Sequence, residues 1–158
     1  MTRHVLCAYA DGSDLHEVAA NLIDRISTFV DSRSWICSGA RVVNQQGDIG
    51  DPSLGPDDLP DWDVGISFDL PDPGYEPPDW FMDVEVTVQF LAQLHVGTGR
   101  DFIIGICDVS TGLGDDLFFV QSASPNLAKR RQILGVRDMC GPRAQGVLPW
   151  LCRLAHRD

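Results

Sequence analysis

Three carboxylates in the last third of the chain are the first residues that could do chemistry. Asp108, Asp115 and Asp116 surround a turn carrying Gly112 and Gly114. Such a set could hold a divalent cation or supply an acid/base pair, which is the equipment of a small metal-dependent hydrolase. The spacing departs from a calcium loop, because the position that should carry a bidentate Glu, eleven after Asp108, is Phe119. Carboxylates at a hairpin end are also ordinary turn formers, and that is the favoured reading.

Other catalytic patterns are weaker still. Asp61-Trp62-Asp63 has the spacing of a metal-binding Asp-x-Asp motif, but in an alternating strand both carboxylates share the solvated face. His4, His16, His95 and His156 show no HxxxH or HExxH spacing, and no GxSxG nucleophile motif is present. His95 reads as a packing residue or as one placed at a helix C-terminus. Gly97-Thr98-Gly99 lacks the third glycine of a phosphate cradle. No metal, cofactor or catalytic residue is expected.

Charge is more informative. Residues 1–47 carry five acidic and four basic side chains, residues 48–120 sixteen acidic and one basic, and residues 121–158 two acidic and seven basic. From Val42 to Gly99 there is no Lys or Arg, although the whole chain reaches a net charge of only −11. A field of this kind repels nucleic acid and anionic membranes and attracts cationic partners. Lys129, Arg130, Arg131, Arg137 and Arg143 form a basic cluster, which could pair with the acidic middle and is not expected to bind nucleic acid. The middle third interleaves its carboxylates with aromatic rings, the ingredients of a protein interface. The expected partner-binding residues are Asp57, Asp58, Asp61, Asp63, Asp69, Asp72, Tyr75, Glu76, Asp79 and Trp80, with Trp62 assigned to the core and Tyr75 and Trp80 as anchors.

The elements that must position these residues follow from periodicity. Residues 4–9 alternate and end at Asp11-Gly12-Ser13, as a strand entering a turn does. Leu15, Val18, Leu22, Ile26 and Phe29 recur at helical steps within 14–30, with Asp14 and Glu17 in capping-box spacing. Residues 34–43 read as a second strand bent at Ser38-Gly39, and 61–70 as a third with Trp62, Val64, Ile66, Phe68 and Leu70 on one face. Pro71 to Pro78 is a loop. Residues 79–96 alternate as a strand would, but the stripe of Phe81, Val84, Val88, Leu91 and His95, the length and Gly97 as a stop favour a helix. Residues 101–108 form a continuous apolar strand, 109–115 a turn and 117–120 the returning strand. Short helices are expected over 126–134 and 148–155.

The order β-α-β-β-α-β-β predicts an α+β fold: an antiparallel or mixed sheet of about five strands with two main helices, in a ferredoxin-like arrangement with a short helical C-terminal extension. At 158 residues and 44% hydrophobic composition, one domain over 1–158 is expected. Cys7, Cys37, Cys107, Cys140 and Cys152 are odd in number and lack CxxC spacing, so reduced thiols and a cytoplasmic location are expected.

A small, acidic α+β chain of this layout resembles the immunity proteins of bacterial polymorphic toxin systems. The resemblance lies in layout and acidity, without a signature motif. It implies a non-catalytic protein that binds a cognate, basic toxin and blocks it. A metal-dependent hydrolase or a non-catalytic adaptor subunit are the alternatives.

Overall fold

Two helices need a surface to cover, and the five strands supply it. The computed structural model describes residues 3–12, 15–47, 51–55, 62–125 and Ile133. In chain order the elements are β1 (His4–Ala10), a 3-10 turn (Leu15–Glu17), α1 (Ala19–Asp31), β2 (Arg41–Gln46), β3 (Trp62–Asp69), α2 (Phe81–Thr98), β4 (Phe102–Asp108) and β5 (Leu113–Val120). The strands form one open sheet in the order β2-β3-β1-β4-β5. Every neighbouring pair is antiparallel.

Alternation decides which side chains meet the helices. Leu6, Ala8 and Ala10 of β1, Val64, Ile66 and Phe68 of β3, and Phe102, Ile104 and Ile106 of β4 join one buried cluster with Leu22 and Ile26 of α1 and Val84, Val88 and Leu91 of α2. Each large apolar side chain buried there contributes roughly 1.5–3 kcal/mol. Ile133 belongs to the same cluster. On the opposite face Val5, Cys7, Val43 and Cys107 form a smaller group, with Tyr9 and Val109 against it. Gly65 sits in that face because a Cβ there would strike the carbonyl oxygen of Ala8 and approach Tyr9 Cα to 2.7 Å.

Several boundaries differ from the sequence reading, and four of the shifts have a local reason. α1 begins at Ala19, since Val18 N–H bonds back to Leu15 O at 3.0 Å and tightens the preceding turn; Asp14 lies outside the described residues. β2 begins at Arg41 and not at Ser34. The N–H groups of Ile36 and Cys37 are taken by a side chain of α2, and Gly39 turns the backbone at φ 66°. α2 runs two residues past the expected end, to Thr98, and stops at Gly99 in the left-handed region, whose N–H caps His95 O at 2.7 Å. β5 starts at Leu113, so Asp115 and Asp116 lie within a strand and not in the turn. The β4–β5 register shifts between Ile104 and Gly105, leaving Leu117 as the extra residue of a bulge.

The C-terminal helices expected over 126–134 and 148–155 fall outside the described residues apart from Ile133. None of the helices among the described residues is long and apolar enough to cross a membrane.

Candidate functional site

The carboxylates near the β4–β5 turn do not converge. Asp108 Oδ1 accepts Ser110 N–H at 2.8 Å and Ser110 Oγ–H at 2.6 Å, an Asx turn that closes the hairpin. Burial pushes its carboxyl up, but the Ser110 bonds, the nearby His4 and Thr111 together hold it below the usual range. Asp115 and Asp116 are consecutive in β5, so their side chains point to opposite faces of the sheet. Asp116 accepts the Tyr9 hydroxyl at 3.0 Å. Among the described residues no group of three His, Cys, Asp or Glu side chains could hold a metal ion.

The expected partner-binding residues divide into groups. Asp57, Asp58 and Asp61 lie outside the described residues. Asp63 and Asp69 end opposite halves of β3, six residues and about 20 Å apart. Asp63 joins Tyr9, Asp11 and Asp116 at one end of the sheet. Burial drives the Tyr9 hydroxyl up, followed by the charge and hydrogen bond of Asp116 and by Asp11 and Asp63. Asp116 itself is raised by burial, with Asp11 and Asp115 adding to the shift and the Tyr9 bond opposing it.

At the other end Asp69 is already engaged. Its Oδ2 takes Arg3 at 2.7 Å and Ser38 Oγ–H at 3.2 Å, and its backbone N–H donates to Ser38 O at 2.8 Å. Beyond it the β3–α2 connection carries Asp72, Tyr75, Glu76 and Asp79. Asp72 O closes a turn on Tyr75 N–H at 3.0 Å, and Glu76 Oε2 accepts Gly74 N–H at 2.8 Å. Asp79 holds a left-handed φ of 61° just before α2, a backbone state that Asp reaches more easily than most residues.

Of the two aromatic anchors, Tyr75 is 81% exposed and Trp80 only 8%. Trp80 belongs to the helix-side core, edge-on to Phe81, and is corrected to a packing residue. The helix phase explains the exchange: Trp80 shares its face with Val84 and Leu91, whereas Met82 turns outward at 51% exposure. Trp62 packs against the core as expected, its Nε1–H donating to Asn44 Oδ1 at 2.8 Å.

Comparison with family models, with curated proteins and with solved structures returns no match. The site therefore stands on its own geometry.

The residue that sequence reasoning missed is Asp83. Fully buried in the first turn of α2, it accepts Arg33 at 2.6 Å on Oδ1 and the N–H groups of Ile36 and Cys37, both at 2.7 Å, on Oδ2. Arg33 lies over the Trp35 ring at 4.4 Å and near Phe29 at 5.6 Å. The 33–37 segment is thereby tied to the first turn of α2, and Ile36 within it is 39% exposed. One signal was available: Asp83 stands four residues before Thr87 and eight before Leu91, on the stripe that the helix buries.

Cys7, Cys37 and Cys107 are free and buried. Burial and then the charge of Asp83 push the Cys37 thiol up to about 12, and burial raises Cys7 as well. Cys140 and Cys152 lie outside the described residues.

Proposed function

We propose that this chain is an immunity-type inhibitor, a non-catalytic cytoplasmic protein that binds and neutralises a cognate basic bacterial toxin through an acidic surface. The observation that carries the reading is the β3–α2 connection, where Asp72, Glu76 and Asp79 flank a tyrosine with 81% of its surface in water. An exposed aromatic ring between carboxylates, on a loop fixed at both ends by the sheet and by α2, has the composition of a binding surface. The sixteen acidic side chains among the described residues face five arginines, two of which are engaged by Asp69 and Asp83.

In this reading the carboxylates stand in for the anionic substrate of the toxin, such as a nucleic acid or nucleotide. They speed encounter at low salt and compete for the cationic groups of its active site. The strand order β2-β3-β1-β4-β5 supports reading the architecture as a ferredoxin-like β-α-β-β-α-β unit with β5 added beside β4. The hydrolase alternative draws no support from Asp108, Asp115 and Asp116, given their separation.

Co-expression of the chain with the product of the adjacent gene tests the reading. A complex that survives purification, together with growth rescue of cells poisoned by that product, is expected. A neighbour that neither binds nor harms cells would sink it.

A further inference from the structure

Three large apolar side chains stand in water around the start of α2: Tyr75, Met82 and Ile36. The backbone of Ile36 is held against the first turn of α2, where its N–H donates to Asp83, the neighbour of Met82 in sequence, at 2.7 Å. The thiol of Cys37 also reaches the Trp80 carbonyl at 3.7 Å. Tyr75 lies five residues before Trp80, in the connection that enters the same helical turn.

The rim of this patch is acidic, formed by Asp72, Glu76 and Asp79. Asp72 and Asp79 make no side-chain hydrogen bond or ion pair among the described residues, and Arg3 and Arg33 are engaged by Asp69 and Asp83. No Lys or Arg occurs from Val42 to Gly99. A second copy of the chain would present the same negative rim, and a nucleic acid or anionic bilayer would be repelled. A cationic polypeptide bearing apolar side chains is complementary in both respects.

We infer that this patch docks a basic, apolar-studded segment of a partner protein, with two separate jobs assigned within it. Ile36, Tyr75 and Met82 are the anchors that set how long the complex lasts. Asp72, Glu76 and Asp79 set how fast it forms. The inference rests on the acidic-inhibitor reading and narrows it to one face and one class of segment.

The full chain is titrated with a fluorescent peptide of alternating arginine and tryptophan, beside arginine–serine and glutamate–tryptophan peptides, following anisotropy, stopped-flow rates and backbone amide shifts. The arginine–tryptophan peptide is expected to bind about tenfold tighter than the arginine–serine peptide, with the largest shifts at Ile36, Tyr75 and Met82. Tyr75→Ala and Met82→Ala, both at exposed positions, speed its dissociation about tenfold. Asp72→Asn with Asp79→Asn slows association and flattens its salt dependence. Binding that maps elsewhere, or that ignores Tyr75→Ala and Met82→Ala, overturns this docking face while leaving a basic partner in place. Failure of both cationic peptides to bind overturns the basic-partner reading as well. Equal binding of the glutamate–tryptophan peptide overturns the charge assignment and favours an apolar adaptor surface.

Discussion

Asp83 and Arg33 meet at 2.6 Å across fifty residues of chain, the carboxylate fully buried and the guanidinium stacked on Trp35. The pair does more than neutralise charge, because the second oxygen of Asp83 terminates two N–H groups of a segment that belongs to no strand. Asp83→Ala removes all three partners at once. The expected loss is about 3–5 kcal/mol, the range for stripping one side of a buried pair, or on the order of 10 °C in melting temperature. Asp83→Asn retains an oxygen for Ile36 and Cys37 and loses only the Arg33 contact, so it should lose less. Urea midpoints of the two variants check the order.

Asp116 predicts a pH dependence. Its carboxyl titrates higher in the fold than in the unfolded chain, through burial and then the charges of Asp11 and Asp115. The folded state therefore binds the proton more tightly. The stability gained this way is fully present below the unfolded value, near 3.9, and is lost as pH rises through the folded value. Asp116→Asn keeps an acceptor for the Tyr9 hydroxyl without the charge. It should be more stable than the native chain at neutral pH, with the difference closing in acid; denaturation curves at both extremes decide it.

Gly65→Ala places a methyl group against the backbone of the adjacent strand, where neither Ala8 nor Tyr9 can withdraw without breaking the β1–β3 ladder. A loss of about 3 kcal/mol is expected, as for an overpacked core. Gly74→Ala meets nothing within 4 Å and suffers only from its φ of 85°, for about 1 kcal/mol. Chemical denaturation of the two variants separates contact from conformation.

Native-state alkylation should leave Cys7, Cys37 and Cys107 unmodified at mildly alkaline pH, because all three are buried and the thiols of Cys7 and Cys37 are raised. Peptide mapping after iodoacetamide treatment, with and without denaturant, tests this. Rapid native labelling of Cys37 would contradict the Asp83 environment described for it.

Calcium, magnesium and manganese should each leave the melting temperature unchanged, since Asp115 and Asp116 diverge across β5 and Asp108 is committed to Ser110. A rise of several degrees with any of them would restore the hydrolase alternative.

What was legible in the sequence is what periodicity governs. Val64, Ile66 and Phe68 fall on the buried face of β3 because alternation forces them there, and α2 was separable from a strand by its length and its stripe, although the stop lies at Gly99 and Gly97 is helical. Met82 and Val84 show why the choice mattered. Two apart on a strand they share a face, but on a helix they diverge by about 200°, and one is exposed while the other is buried. The start of β2 was not legible. Ile36 and Cys37 look like strand residues, and only Asp83, 47 and 46 positions later, claims their N–H groups. No local pattern announces a partner at that range. Of the two rings expected as anchors, Tyr75 is exposed, whereas Trp80 is buried on the face of α2 that carries Val84 and Leu91, two residues out of phase with the exposed Met82.

Tyr75, Met82 and Ile36 are exposed large apolar side chains, so selection can rewrite them with little disturbance of the interior. A lineage pursuing a changing adversary would find its variation tolerated there. Arg33 and Asp83 have no such freedom, because a change at either moves Ile36 relative to Met82 and weakens the fold in the same step. Diversity among descendants of this chain should accordingly collect on the rim of α2 and stop abruptly at the ion pair beneath it.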